Sequence, residues 1–135
     1  MAENNEKRET LLLVDDNPTN LQVLRQTLQG IDYKMLIAKN GERALSIAVE
    51  DHPDLILLDV SMPLAGGAEV VCDIRRWSPQ TRIVILTGIN APGLIASLLQ
   101  QGVEGMFSKG APLDELYAKL PLILRGGHYI ADEFT

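Results

Sequence analysis

The sequence holds a single cysteine, Cys72, among its 135 residues, which excludes an internal disulfide framework and any zinc site built on several thiolates. A reducing compartment, and with it the cytoplasm, is the expected location. Basic residues are also in short supply: 12 Lys and Arg stand against 18 Asp and Glu, a net charge of −6. Charge of that sign opposes the binding of a polyanion by simple attraction, so no nucleic-acid surface is expected within the chain. No apolar run reaches the roughly 18 residues of a membrane helix, and the polar stretch from Met1 to Thr10 lacks the apolar segment of a signal peptide. Neither an internal repeat nor a low-complexity tract is present.

What is present suits one folded domain. With 46% of residues apolar and 22% charged, the chain can bury a substantial core without staples. Apolar runs of strand length alternate with helix-period segments from end to end. The strand candidates are Thr10 to Val14, Tyr33 to Ala38, Leu55 to Leu58, Ile83 to Leu86 and Gly105 to Ser108. Between them, helical stripes run through Leu21, Leu24, Leu28 and Ile31, then Ala44, Leu45, Ala48 and Val49, then Leu94, Ile95, Leu98 and Leu99. Ala65 to Trp77 supplies a further helix through Val70, Val71 and Ile74, and Leu113, Leu116, Tyr117 and Leu120 supply the last.

Near-continuous apolar strands such as Leu55 to Leu58 are expected where helices cover both faces of a parallel sheet. The result is a three-layer α/β sandwich of five strand-helix units. Local punctuation agrees: Pro18 suits a first helical turn, Asn40 a cap, Pro112 a helix start, and Gly30 and Gly102 helix ends. Pro121 falls deep in the last helix and predicts a kink or an early break there.

In an open parallel sheet, ligands bind beyond the carboxyl ends of the strands. Those ends read Val14-Asp15-Asp16, Leu58-Asp59, Leu86-Thr87-Gly88 and Ser108-Lys109-Gly110, which gathers three carboxylates, a hydroxyl and an ammonium. Two negative charges about 4 Å apart repel by roughly 4 kcal/mol at an effective dielectric of 20, so crowded acids call for a proton or a cation. Oxygen-only ligands, few in number, suit Mg2+ better than Zn2+ or a caged Ca2+. With such an ion in place, a carboxylate can act as a nucleophile on phosphorus and form an acyl phosphate.

These pieces resemble the receiver domains of two-component response regulators: Leu-Leu-Leu-Val-Asp15-Asp16, Pro53-Asp54-Leu-Ile-Leu-Leu-Asp59-Val-Ser-Met62-Pro63, Ile-Leu-Thr87-Gly88 and Gly105-Met-Phe-Ser-Lys109. No single piece is specific; the ordered set is. The resemblance covers essentially the whole chain and implies a doubly wound, flavodoxin-like (βα)5 fold with a five-stranded parallel sheet in the order 2-1-3-4-5. It implies Asp59 as phosphoacceptor, Asp16 and Asp59 as direct Mg2+ ligands, Asp15 acting largely through water, and the Ser61 carbonyl completing the set. Thr87 would reorient toward the phosphoryl group and Lys109 would pair with it. The implied donor is a phosphohistidine on a sensor kinase, and the resemblance admits a homodimer formed on phosphorylation. Ala111-Pro112-Leu-Asp-Glu-Leu and Arg125-Gly126-Gly127-His128-Tyr129-Ile130 are similar to the NarL/LuxR class, in which a helix-turn-helix domain follows. DNA would then be reached only through an output domain outside this chain. The implied boundaries are a polar tail over 1–9, the receiver over 10–125, and a tail or linker start over 126–135.

Some positions depart from that pattern. The switch aromatic, usually three residues before the lysine, is Met106 here; Phe107 beside it must point to the opposite sheet face. Gly110 stands where proline is common, and Ile89 offers no polar group to position an attacking water. A competing reading takes Asp15-Asp16-Asn17-Pro18-Thr19 as the nucleophile motif of a haloacid-dehalogenase-type phosphatase, but Asn17 occupies the place of its required second carboxylate. On the plainest reading, Asp15 and Asp16 merely cap the first helix. His52 and His128 read as loop residues, Cys72 as packing filler, and Trp77 as a partly buried helix-end anchor.

Overall fold

A computed structural model describes residues 9–28, 33–59, 67–88, 92–109, 112–131 and 134. In chain order the elements are β1 (Thr10–Val14), α1 (Pro18–Leu28), β2 (Lys34–Ala38), α2 (Gly41–Asp51), β3 (Leu55–Asp59), α3 (Gly67–Trp77), β4 (Arg82–Thr87), α4 (Pro92–Gln100), β5 (Gly105–Ser108), α5 (Leu113–Leu124) and β6 (Tyr129–Ile130). The strands form one sheet in the order β2-β1-β3-β4-β5-β6, and each neighbouring pair is parallel.

Alternation along each strand divides the core between the two faces. Leu12, Val14, Ile56, Leu58, Ile83, Ile85 and Met106 pack against Ala44, Ile47 and Ala48 of α2, Val71 and Ile74 of α3, and Leu98 of α4. Their neighbours Leu11, Leu13, Leu55, Leu57, Val84, Leu86 and Phe107 pack against Leu21, Leu24 and Leu28 of α1 and Leu116, Leu120 and Ile123 of α5. Helices thus cover both faces, which is the sandwich that the apolar strands imply.

The sheet has six strands rather than the five expected. The sixth is only two residues long, too short to leave a period in the sequence, and its position depends on the turn before it. Gly126 takes φ 101, and its N–H donates to the Ile123 carbonyl at 3.0 Å while the Gly127 N–H donates to Leu122 at 2.9 Å. This pair of bonds is a Schellman ending, in which the left-handed residue turns the chain back across the helix end. A Cβ on Gly127 would lie 2.7 Å from Leu122 Cδ1, so both glycines are structural. Gly126→Ala is expected to destabilise the chain by about 1 kcal/mol, read as a lower urea midpoint; an unchanged midpoint would show that the turn does not need its left-handed residue.

Four side-chain expectations are corrected. Trp77 is 56% exposed, on the surface rather than against the core; Arg76 lies 6.0 Å from its ring centroid. Cys72 is exposed as well, because α3 turns Val71 and Ile74 inward. On α2 the buried position is Ile47, whereas Val49 is 43% exposed. Tyr117 is 40% exposed on α5. Nor does Pro121 end its helix early: α5 continues to Leu124. The proline and Tyr117, whose carbonyl loses its donor, both lie on the exposed side of the helix, where water can replace the missing bond. Pro18 opens α1, and the Asn40 side chain accepts from the Arg43 N–H at 2.8 Å, as its cap role requires. Ile31, Gly30 and the Ala65 start of the third helix lie outside the described residues.

Candidate functional site

Every strand-end residue singled out from the sequence follows from an apolar run that stops. β3 carries five buried residues in succession, Leu55 to Asp59, so the Asp59 carboxylate is drawn to the edge of the core with only 8% of the residue exposed. β1 ends at Val14, and the next residue, Asp15, is 3% exposed; its N–H donates to the Ala38 carbonyl at 3.1 Å, extending the β1–β2 ladder. β4 ends on Thr87, 3% exposed. The Lys109 N–H donates to the Thr87 carbonyl at 3.0 Å, which fixes the residue after β5 beside the end of β4.

Two of the three carboxylates meet. Asp15 lies close enough to Asp59 for the second carboxylate to raise the first, while Asp16 is exposed at the same strand end. Lys109 Nζ donates to Asp59 Oδ2 at 2.8 Å, with the Asp59 side chain 4% exposed and that of Lys109 28%. A charge this buried is tolerated only when paired. Thr87 is buried at the neighbouring strand end, on the sheet face that also carries Met106 by the alternation of β4 and β5. Phe107 faces the other way and stacks on Tyr129 with ring centroids 5.3 Å apart, so the ring beside the switch position serves the opposite face.

The first helix is capped by Asn17 rather than by either aspartate. Asn17 Oδ1 accepts from the N–H groups of Thr19 at 2.9 Å and Asn20 at 3.3 Å, which caps α1. Asp15 Oδ1 in turn accepts from the Asn17 N–H at 2.9 Å. Sequence reasoning missed Asn20, whose side chain lies close enough to Asp15 to stabilise its charged form; its only signal is a place on the first turn of a helix that begins at the site. Neither histidine belongs here. His52 ends α2 in the left-handed region at φ 45, and His128 is exposed before β6. Ser61, Met62, Pro63, Ile89 and Gly110 lie outside the described residues.

Asp15 is pushed up to about 6. Burial is the largest cause, and the hydrogen bond and charge of Asp59 add to it; the Asn17 N–H and the Asn20 side chain pull the other way. Asp15 therefore holds a proton to higher pH than an ordinary carboxyl, while Asp59 is already paired with the Lys109 ammonium. Among the described residues, no three His, Cys, Asp or Glu side chains are grouped to hold a metal by themselves. An oxygen-only pair with an exposed third acid beside it fits Mg2+, which takes one or two carboxylates and keeps several waters.

The sign of the pH effect follows. In the absence of divalent cation, a carboxyl whose folded-state value is about 6, against an ordinary 3.8, contributes stability that is complete below about 4 and lost as the pH rises through 6. Thermal midpoints of metal-free protein are expected to fall over that window, and Asp15→Asn to flatten the fall. Parallel profiles for the two proteins would contradict the raised Asp15 value.

Comparison with known proteins agrees with this geometry. A family model described as the response regulator receiver domain matches residues 11–121. Response regulator GacA of Pseudomonas viridiflava is 33% identical over 127 residues, covering 93% of this chain and 59% of the relative. Response regulator MprA of Mycolicibacterium vanbaalenii is 31% identical over 115 residues, covering 85% of this chain and 50% of the relative. The chain thus spans 50 to 59% of the length of these curated relatives. A crystal structure of a LuxR-family two-component response regulator from Aurantimonas sp. SI85-9A1 superposes with a TM-score of 0.84 at 25% identity, covering 95% of this chain and 93% of that one. Nothing in these comparisons supports a phosphatase of the haloacid-dehalogenase type.

Proposed function

The chain belongs to the response regulator receiver domain family, and from that premise we propose that Asp59 is its phosphoacceptor, served by Lys109 and Thr87. A receiver domain is a phosphoacceptor switch of a two-component system and not an enzyme. The observation that carries the assignment is the buried Asp59 carboxylate, held at 2.8 Å by Lys109 Nζ and in contact with Asp15.

An oxygen of Asp59 attacks phosphorus, the O–P bond forms as the P–N bond of a kinase phosphohistidine breaks, and the departing imidazole keeps the electron pair. Lys109 exchanges its carboxylate partner for a phosphoryl oxygen. Thr87, buried on the neighbouring strand, offers its hydroxyl to another. Asp15 and Asp16 would hold Mg2+ with Asp59 and the Ser61 carbonyl; when bound, the ion balances the charge of the carboxylates and of the transferring phosphoryl oxygens. Met106, wholly buried on the Thr87 face, fills the switch position with a flexible side chain that accommodates more than one packing arrangement.

The LuxR-family likeness at 25% identity supports membership of the NarL/LuxR class. The partial coverage of GacA and MprA supports a receiver that works beside an output domain outside these residues, through which DNA would be reached. The sensor histidine kinase is the donor, and a homodimer is a partner state open to the phosphorylated form. Among the described residues no helix is long and apolar enough to cross a membrane, and we assign the domain to the cytoplasm. We place its receiver unit over 10–125, between a polar tail over 1–9 and a C-terminal segment over 126–135 of which Tyr129–Ile130 join the sheet as β6.

Borohydride reduction of the phosphorylated chain tests the assignment, since it converts an aspartyl phosphate to homoserine. Homoserine at position 59 alone is the expected result. Homoserine at Asp15 instead would favour the phosphatase-type nucleophile.

A further inference from the structure

We propose that β6 is a latch closed by the unphosphorylated state of the site and released when Asp59 is phosphorylated, an inference that rests on Asp59 as the phosphoacceptor. Residues 126–131 are fastened to β5 and α5 at each step. The Schellman turn at Gly126 and Gly127 returns the chain to the sheet edge. The N–H groups of Tyr129 and Ala131 then donate to the carbonyls of Glu104 and Met106, both at 3.0 Å. The Tyr129 ring stacks on Phe107, its hydroxyl donates to Glu115 Oε2 at 2.6 Å, and Lys119 Nζ lies 4.9 Å from its centroid. Two glycines beside a helix end would serve a free linker equally well; here they build an ordered return.

The latch and the site share one short strand. β5 has four residues: Met106 receives a β6 backbone bond, Phe107 carries the Tyr129 stack, and Lys109 follows directly on Ser108. All the β6 contacts are made with Lys109 bonded straight to Asp59 Oδ2. A phosphoryl group on that carboxylate gives Lys109 Nζ a new oxygen to pair with, and in the proposal the resulting shift of Lys109 is passed to the end of β5. A strand of two residues has little cooperative reserve against such a shift. The latch contacts fit the resting register of β5 and weaken when that register moves.

Amide hydrogen exchange on the full chain tests this, with and without Mg2+ and beryllofluoride as the phosphoryl mimic. The N–H groups of Tyr129 and Ala131 are expected to exchange at least about fivefold faster with the mimic bound, the low end of coupling between two sites. Because coupling is reciprocal, Tyr129→Phe, which removes the bond to Glu115 and keeps the ring, should raise both the exchange of the Ala131 N–H and the affinity for the mimic. Unchanged exchange at Tyr129 and Ala131, with resonances near Asp59 shifted by the mimic, would overturn the latch and leave the phosphoacceptor standing. Faster exchange in Tyr129→Phe without tighter mimic binding would overturn it too. Failure of the mimic to bind at all would overturn both.

Discussion

With Mg2+ present to supply the counter-charge that Asp59 loses, Lys109→Met is expected to take up phosphate from a small phosphodonor about 100- to 1000-fold more slowly, the usual effect of deleting one charge-stabilising group from a reacting centre. Methionine keeps most of the length and apolar stem of lysine, so the loss falls on the ammonium. In the resting chain that ammonium is 2.8 Å from Asp59 Oδ2. During transfer it would meet a phosphoryl group whose negative charge is spread over its equatorial oxygens. Lys109→Arg should recover only part of the rate, since a planar fork does not replace a point charge at a site built around one oxygen. Single-turnover phosphorylation followed by mass measures both variants. A Lys109→Met rate within about threefold of wild type would remove the lysine from the transfer step, because that is well under the 100-fold expected for such a group.

Phe107→Ala carries the largest expected loss of stability, about 3 to 5 kcal/mol. Phe107 is 2% exposed, packed among Val84, Leu86, Leu116 and Leu120, and its ring is the surface on which Tyr129 stacks. Truncation leaves a cavity between β5 and α5 and unseats β6 as well. Against a typical total of about 5 to 15 kcal/mol, that loss should lower a urea midpoint by roughly 2 M at a slope of about 2 kcal/mol/M. Trp77→Ala serves as the control. Although tryptophan is the larger residue, it is 56% exposed here, and its removal should change stability by no more than about 0.5 kcal/mol. Equal effects from the two substitutions would contradict the burial pattern.

The parts of this fold that were legible in sequence are those where one physical effect dominates. Leu11 to Val14 and Leu55 to Leu58 are apolar without interruption, so their place in a sheet covered on both faces follows from composition alone, as does the prominence of the acid that ends each run. Met106 and Phe107 were assigned to opposite faces by alternation, and they occupy separate cores. Helix faces were less legible. Ala44, Leu45, Ala48 and Val49 fit a stripe as well as Ala44, Ile47 and Ala48 do, and only the packing of α2 against the sheet separates them. Trp77 shows the same limit, because a hydrophobic residue in the last turn of α3 carries no mark of whether the core extends that far.

The sixth strand was hidden for a different reason. Two residues have no period, and Gly126-Gly127 has the composition of a linker; the order comes from Tyr129 finding Phe107, Glu115 and Lys119, which are distant in sequence. At the site, the strand ends put Asp15, Asp16 and Asp59 close together in topology, yet Asp15 and Asp59 are buried while Asp16 is exposed. Adjacent residues leaving a strand diverge, and burial selects one of them. Asn20 escaped notice because its role depends on how the start of α1 is aimed at Asp15, a geometry that spacing alone does not fix.

The most direct test of the central claim is the intact mass of the chain after incubation with Mg2+ and a small phosphodonor, beside Asp59→Asn treated identically. The account predicts the added mass of one phosphoryl group on the wild type and none on the variant. A folded wild type that gains no mass, or a variant that gains as much, would contradict it.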